Sequence, residues 1–130
     1  MRSKNDENDT QGLARPARRE SIYSVALQLV REVMPLVDRL REVDADLARQ
    51  TRRSAMSVAQ RMAEGMHSRG GNRPAHYQGA AASAKETEAS LELAVAAGYV
   101  HADDVRGVQR LCDRVSACMW VWVHRPRARR

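Results

Sequence analysis

Phenylalanine is absent from this 130-residue chain, and aromatic residues of every kind make up only 4% of it. A sheet sandwich draws on aromatic and β-branched side chains, so this scarcity argues against one; Ala, Val, Leu and Met supply the apolar groups instead, which suits closely packed helices. Lysine is nearly missing too, with only Lys4 and Lys85 beside the arginines. Two cysteines, Cys112 and Cys118, are too few for a disulfide framework. Their six-residue spacing inside one helical pattern points them to different faces, so they do not bridge each other. No apolar run reaches the ~20 residues of a membrane span, and Met1 to Gly12 lacks the apolar stretch of a secretory signal. A reducing cytoplasm is the expected compartment, with no membrane partner.

What remains fits one domain. With 43% hydrophobic residues the chain can bury a core without disulfide or metal staples. The formal charge of +6 is unevenly spread: residues 1–20 carry five basic and four acidic groups and residues 125–130 carry four arginines, which leaves residues 21–124 at +1. The tail arginines Arg125, Arg127, Arg129 and Arg130 can grip nucleic-acid phosphate; a tail that is merely solvated is the alternative.

Residues 1–19 mix charge, Gln11, Gly12 and Pro16 without periodicity and read as a flexible arm, followed by a bundle domain over residues 20–124 and the basic tail over 125–130. Ile22, Val25, Ala26, Leu29, Val33, Leu36, Val37 and Leu40 recur at helical steps, predicting a first long helix that Pro35 kinks or breaks. Asp44 or Asp46 caps a second helix reaching about His67. Ser68 to Pro74 is a turn, a third helix covers about Pro74 to Ala97, and Gly98 supplies its left-handed cap. Asp103 and Asp104 sit at the positive end of a fourth helix that runs to about His124, with Val105, Val108, Leu111, Val115, Met119 and Trp122 as its core stripe. Cys118, Trp120, Val121 and Val123 make its last turns apolar all round, more than one bundle face can cover. Trp120, Val121 and Val123 therefore mark an expected interface with a second copy.

The second helix carries two stripes. Leu47, Thr51, Ala55, Val58, Met62 and Met66 form a core seam, and Gln50, Arg53, Ser57, Arg61 and Glu64 line the adjacent side. Such a polar row suits inter-helix or inter-subunit hydrogen bonds that fix register, or a groove where phosphate meets Arg52 and Arg53. In the third helix Glu88 falls within the packed face and needs a partner, for which the arginines of the second helix are the candidates. Catalytic patterns are wanting. Glu64-x-x-His67 is half of a bundle di-metal signature with no second copy, no histidine aligns with either cysteine, and Arg69-Gly70-Gly71-Asn72 lacks the strand and lysine of a phosphate loop. The expectation is no catalytic residue, no cofactor and no metal.

The pattern Leu47-x-x-Gln50-x-Arg52-Arg53-x-Ala55-x-Ser57-Val58, followed by Ala63-Glu64-Gly65, Arg69, and then Ala80, Ser83, Glu86, Glu88 and Gly98-Tyr99, resembles the 23S rRNA intervening-sequence protein family of bacteria. The chain departs from the family's pattern at Arg61, Met62 and Ala82, and no family role is carried over to Arg61. The resemblance implies an antiparallel up-down four-helix bundle that assembles as a homopentamer without enzymatic activity. It also implies an RNA or DNA contact, or an accessory role beside a reverse transcriptase, since a related branch serves diversity-generating retroelements. On that reading Gln50, Arg53, Ser57, Glu64, Ser83, Glu86 and Glu88 are a structural polar seam, while Arg52, Arg53, Arg69, Arg73 and the tail arginines are the nucleic-acid contacts. The alternative is a structural or protein-binding oligomer without nucleic-acid specificity.

Overall fold

The computed structural model describes residues 18–68 and 71–124, and these form four helices and no strand: α1 (Arg18–Arg41), α2 (Ala45–His67), α3 (Asn72–Ala96) and α4 (Ala102–His124). Each helix packs on two others, in the cyclic order α1, α2, α3, α4. Residue pairs across the seams run in opposite senses, which makes neighbours antiparallel. Ser57 meets Ser83 and Ser54 meets Thr87 between α2 and α3, and Arg39 meets Asp104 between the end of α1 and the start of α4.

All the apolar positions expected to line α1, from Ile22 to Leu40, are buried. The helix begins earlier than residue 20, at Arg18, and it passes unbroken through Pro35, whose ring lies on the exposed side. Of the arm expected over residues 1–19 all but Arg18 and Arg19, together with Arg69 in the turn and the basic tail from Arg125, lie outside the described residues. Leu29, Leu40, Met62, Leu91 and Met119 are the largest fully buried side chains of the core, each contributing roughly 1.5–3 kcal/mol by leaving water.

The ends of the helices follow local chemistry. Asp44 caps α2 by accepting from the Leu47 N–H at 3.0 Å, and its other oxygen accepts from the Tyr99 hydroxyl at 3.2 Å, tying two loops together. Gly98 has φ +81° and closes α3 with bonds from its own N–H to Val95 O and from Tyr99 N–H to Ala94 O, both 2.9 Å. Asp104 reaches back to the His101 N–H at 3.1 Å and across to Arg39 at 3.0 Å. Those two bonds hold its carboxyl below the usual range. By contrast α3 starts at Asn72 rather than Pro74, and Gly71 before it makes no side-chain cap.

Candidate nucleic-acid interface

The polar row beside the core of α2 runs along the α2–α3 seam, but only part of it is joined there. Ser83 Oγ donates to Ser57 Oγ at 2.9 Å. Deeper in, the hydroxyls of Ser54 and Thr87 lie 2.8 Å apart, and the carbonyls of Thr51 and Ser83 offer them alternative acceptors at 3.1 and 2.9 Å. Thr51 donates to Leu47 O at 2.7 Å. Thr51, Ser54, Ser83, Thr87 and Ser90 are all buried, and the first four satisfy one another, Ser57 and the backbone, so the interior of this seam is built from small hydroxyls. Sequence reasoning missed Ser54, Thr87 and Ser90. The signal was present, since Thr51, Ser54 and Ser57 step by three and Ser83, Thr87 and Ser90 by four and three. Gln50, Arg53 and Glu86 stand exposed on the rim with no partner among the described residues.

Glu88 faces α4, not the arginines of α2. Its nearest cation is Lys85 at 3.8 Å, one turn back on its own helix, and its side chain hydrogen-bonds Asp113 of α4. Burial raises its carboxyl to about 7, helped by the hydrogen bond and the negative charge of Asp113 and opposed by Lys85. Glu88 lies on the α3–α4 seam, a different seam from the one α2 makes with α3. Cys112 lies buried beside this pair, and burial together with the two carboxylates pushes its thiol up to about 12. A thiol held that firmly protonated is a poor nucleophile near neutral pH.

Arg52 and Arg53, adjacent in sequence and about 100° apart on the helix, diverge: Arg53 lies toward α3 and Arg52 toward α1, so no single groove holds both. Two other cations are placed against α3 and the turn before it. Arg61 is laid against the bare backbone of Gly79, where an added Cβ would fall 2.8 Å from its Nη1, and it has no carboxylate partner among the described residues. Arg73, in the first turn of α3, donates to Ser68 O at 2.7 Å and closes the turn. His76 Nδ1 lies 3.4 Å from Glu64, so Glu64 turns to α3 and away from an exposed His67. No acidic residue occupies the first turn of α3. The first turn of that helix therefore carries an arginine and no acidic residue of its own.

The same end of the bundle is fixed by close packing. A Cβ on Gly65 would sit 2.5 Å from Tyr77 Cε1, so only glycine lets α2 approach α3 there. Tyr77 in turn meets Trp122 edge to face, ring centroids 5.1 Å apart. Val123 packs in part on this chain's own core, whereas Trp120 and Val121 are 61% and 47% exposed. Trp120 stacks on His124 at 4.2 Å. Among the described residues no helix is long and apolar enough to cross a membrane, and no three His, Cys, Asp or Glu side chains gather as metal ligands would.

The family model of the 23S rRNA-intervening sequence protein matches residues 18–120. The chain belongs to the 23S rRNA-intervening sequence protein family. Its fold is similar to the crystal structure of a protein of unknown function from the S23 ribosomal protein family of Bacteroides thetaiotaomicron. That structure is 16% identical, has a TM-score of 0.74, and covers 79% of this chain and 98% of its own. A comparison with curated proteins finds no match.

Proposed function

We propose that this member of the 23S rRNA-intervening sequence protein family is a non-enzymatic, self-associating helical bundle that holds RNA or DNA by its phosphates. The observation that carries this reading is the start of α3. A cation in the first turn of a helix opposes the dipole and costs stability, and an anion placed there reverses the sign. Arg73 lies in that first turn with no acidic residue of the turn beside it, as a phosphate contact requires, and Arg61 lies further along α3 at Gly79. The arginine-rich tail adds phosphate contacts, the assembly is a cytoplasmic ring of five, and a reverse transcriptase is the protein partner that fits an accessory role.

Salt titration tests it. Anisotropy of labelled single-stranded and duplex RNA and DNA is expected to show affinity falling steeply between low and moderate salt. Arg61→Ala with Arg73→Ala is expected to weaken binding alike for all sequences and to lower the log–log salt slope by about 2, and removal of residues 125–130 by up to about 4. Binding that ignores both changes, or no binding at low salt, sinks the reading. The second reading, a protein-binding oligomer without nucleic-acid affinity, is favoured by the exposed Trp120 and Val121.

A further inference from the structure

Opposite its core stripe, α4 presents a face that is basic along most of its length and aromatic at its end. At about 100° per residue Arg106, Arg110, Arg114, Trp120, Val121 and His124 fall within a sector of about 120°, and all of them are exposed. Arg106 is paired with Asp103 at 2.7 Å. Arg110 and Arg114 have no ion-pair partner among the described residues. The carboxylates on either flank are engaged elsewhere: Asp113 hydrogen-bonds Glu88 on the α3 side, and Glu32 of α1, beside Gly107, accepts from Gln28 at 2.8 Å. Two unpaired guanidinium groups, about 6 Å apart along the axis, therefore precede Trp120 by roughly 9 Å.

The indole of Trp120 is 61% exposed, yet it is held in place. His124, one turn on, stacks against it with ring centroids 4.2 Å apart and planes 20° apart, and Nδ1 of the same imidazole lies 2.9 Å from Trp120 O. The imidazole covers one face of the indole and leaves the other open. A flat π-face already fixed in orientation loses little freedom when a second ring stacks on it. Charge selects the occupant. An open aromatic face preceded on its own helix by unpaired guanidinium groups meets both halves of a nucleotide, the planar base and the phosphate. Four more arginines, Arg125, Arg127, Arg129 and Arg130, follow His124 in the next six residues of the sequence. We infer that the open face of Trp120 receives an unpaired base of single-stranded nucleic acid, with Arg110 and Arg114 on the neighbouring phosphates. The inference rests on the phosphate-holding reading above and names the state of the strand. A duplex keeps its bases stacked on one another and offers Trp120 nothing, whereas every unpaired base has a face to give, so the contact takes single strands of any sequence.

The test titrates the full-length protein with a short labelled single-stranded DNA, the RNA of the same sequence and the duplex DNA, reading tryptophan emission beside anisotropy. Both single strands are expected to quench the emission, and the duplex, though held by its phosphates, to leave it unchanged. Trp120→Ala is expected to weaken single-strand binding by roughly tenfold or more with an unaltered salt slope, and to leave duplex binding as it was. Trp120→Phe keeps a π-face and is expected to bind nearly as the wild type does. Its quenching is expected to vanish, because the remaining Trp122 packs against Tyr77. Arg110→Ala with Arg114→Ala is expected to lower the single-strand log–log salt slope by about 1.4. Quenching that persists in Trp120→Phe, or a Trp120→Ala variant that loses nothing or loses single strand and duplex alike, overturns the inference and leaves phosphate binding standing. A Trp120→Ala variant that sediments as a smaller particle than the wild type also overturns it, since the ring then belongs to a contact between copies. Should Trp120→Ala lose helix by circular dichroism, the emission of Trp120→Phe decides alone. No binding of any strand at low salt sinks the phosphate-holding reading, and this inference with it.

Discussion

Glu88 shows what a single residue reveals and conceals. Its place within a face of otherwise small and apolar residues marks it as a desolvated carboxylate from the sequence alone, but not its partner. Helix α3 lies between α2 and α4, and a 3.6-residue period does not say which neighbour takes up a given flank. The structure assigns it to Asp113. A carboxyl raised from 4.5 to about 7 in the fold gives stability that is full below the unfolded value and is lost as pH rises through 7. Urea unfolding of the wild type is therefore expected to be weaker at pH 8 than at pH 5, by on the order of 2 kcal/mol. Glu88→Gln cannot ionise and keeps a donor for Asp113. Its midpoint is expected to stay level over the interval and to exceed the wild type at pH 8. A wild-type midpoint that does not move would mean the two carboxyls are not sharing a proton.

At the scale of the elements, local signals carried the boundaries. Asp44 and Gly98 act as the caps their chemistry suggests, and the α1 stripe is buried as its spacing predicts. Helix α3 was less legible because its buried face is mostly small or hydroxyl residues, Ala80, Ser83, Ala84, Thr87, Ser90 and Ala94, so no hydrophobic stripe stands out. What sets its distance from α2 is Gly65. Alanine normally adds about 1 kcal/mol over glycine in a helix, but overpacking a filled site costs about 1–3 kcal/mol. Here the new methyl would overlap Tyr77, which is itself held by Trp122. Gly65→Ala is expected to lower the melting temperature by about 5 °C or more. Gly71→Ala, with nothing within 4 Å of the new Cβ and φ −73°, is expected to leave it unchanged or slightly raised. Equal melting of the two variants would show that the seam yields freely, and the close approach would lose its meaning.

For the whole molecule, the net charge of +6 was a poor guide, since most of it lies in a tail beyond the described residues and the body holds exposed arginines that diverge. The apolar run at the end of α4 was readable because it exceeds what one face can bury. If Trp120 and Val121 are sealed by sister copies, assembly is linked to folding by mass action. Each tenfold rise in protein concentration is then expected to stabilise the folded chain by about 1.4 kcal/mol for every contact formed, enough to raise the melting temperature by a few degrees. Trp120→Glu is expected to flatten that dependence and to melt at the temperature the wild type approaches on dilution. A wild-type melt that stays put over a hundredfold range of concentration would mean that copies of this chain do not cover Trp120 and Val121.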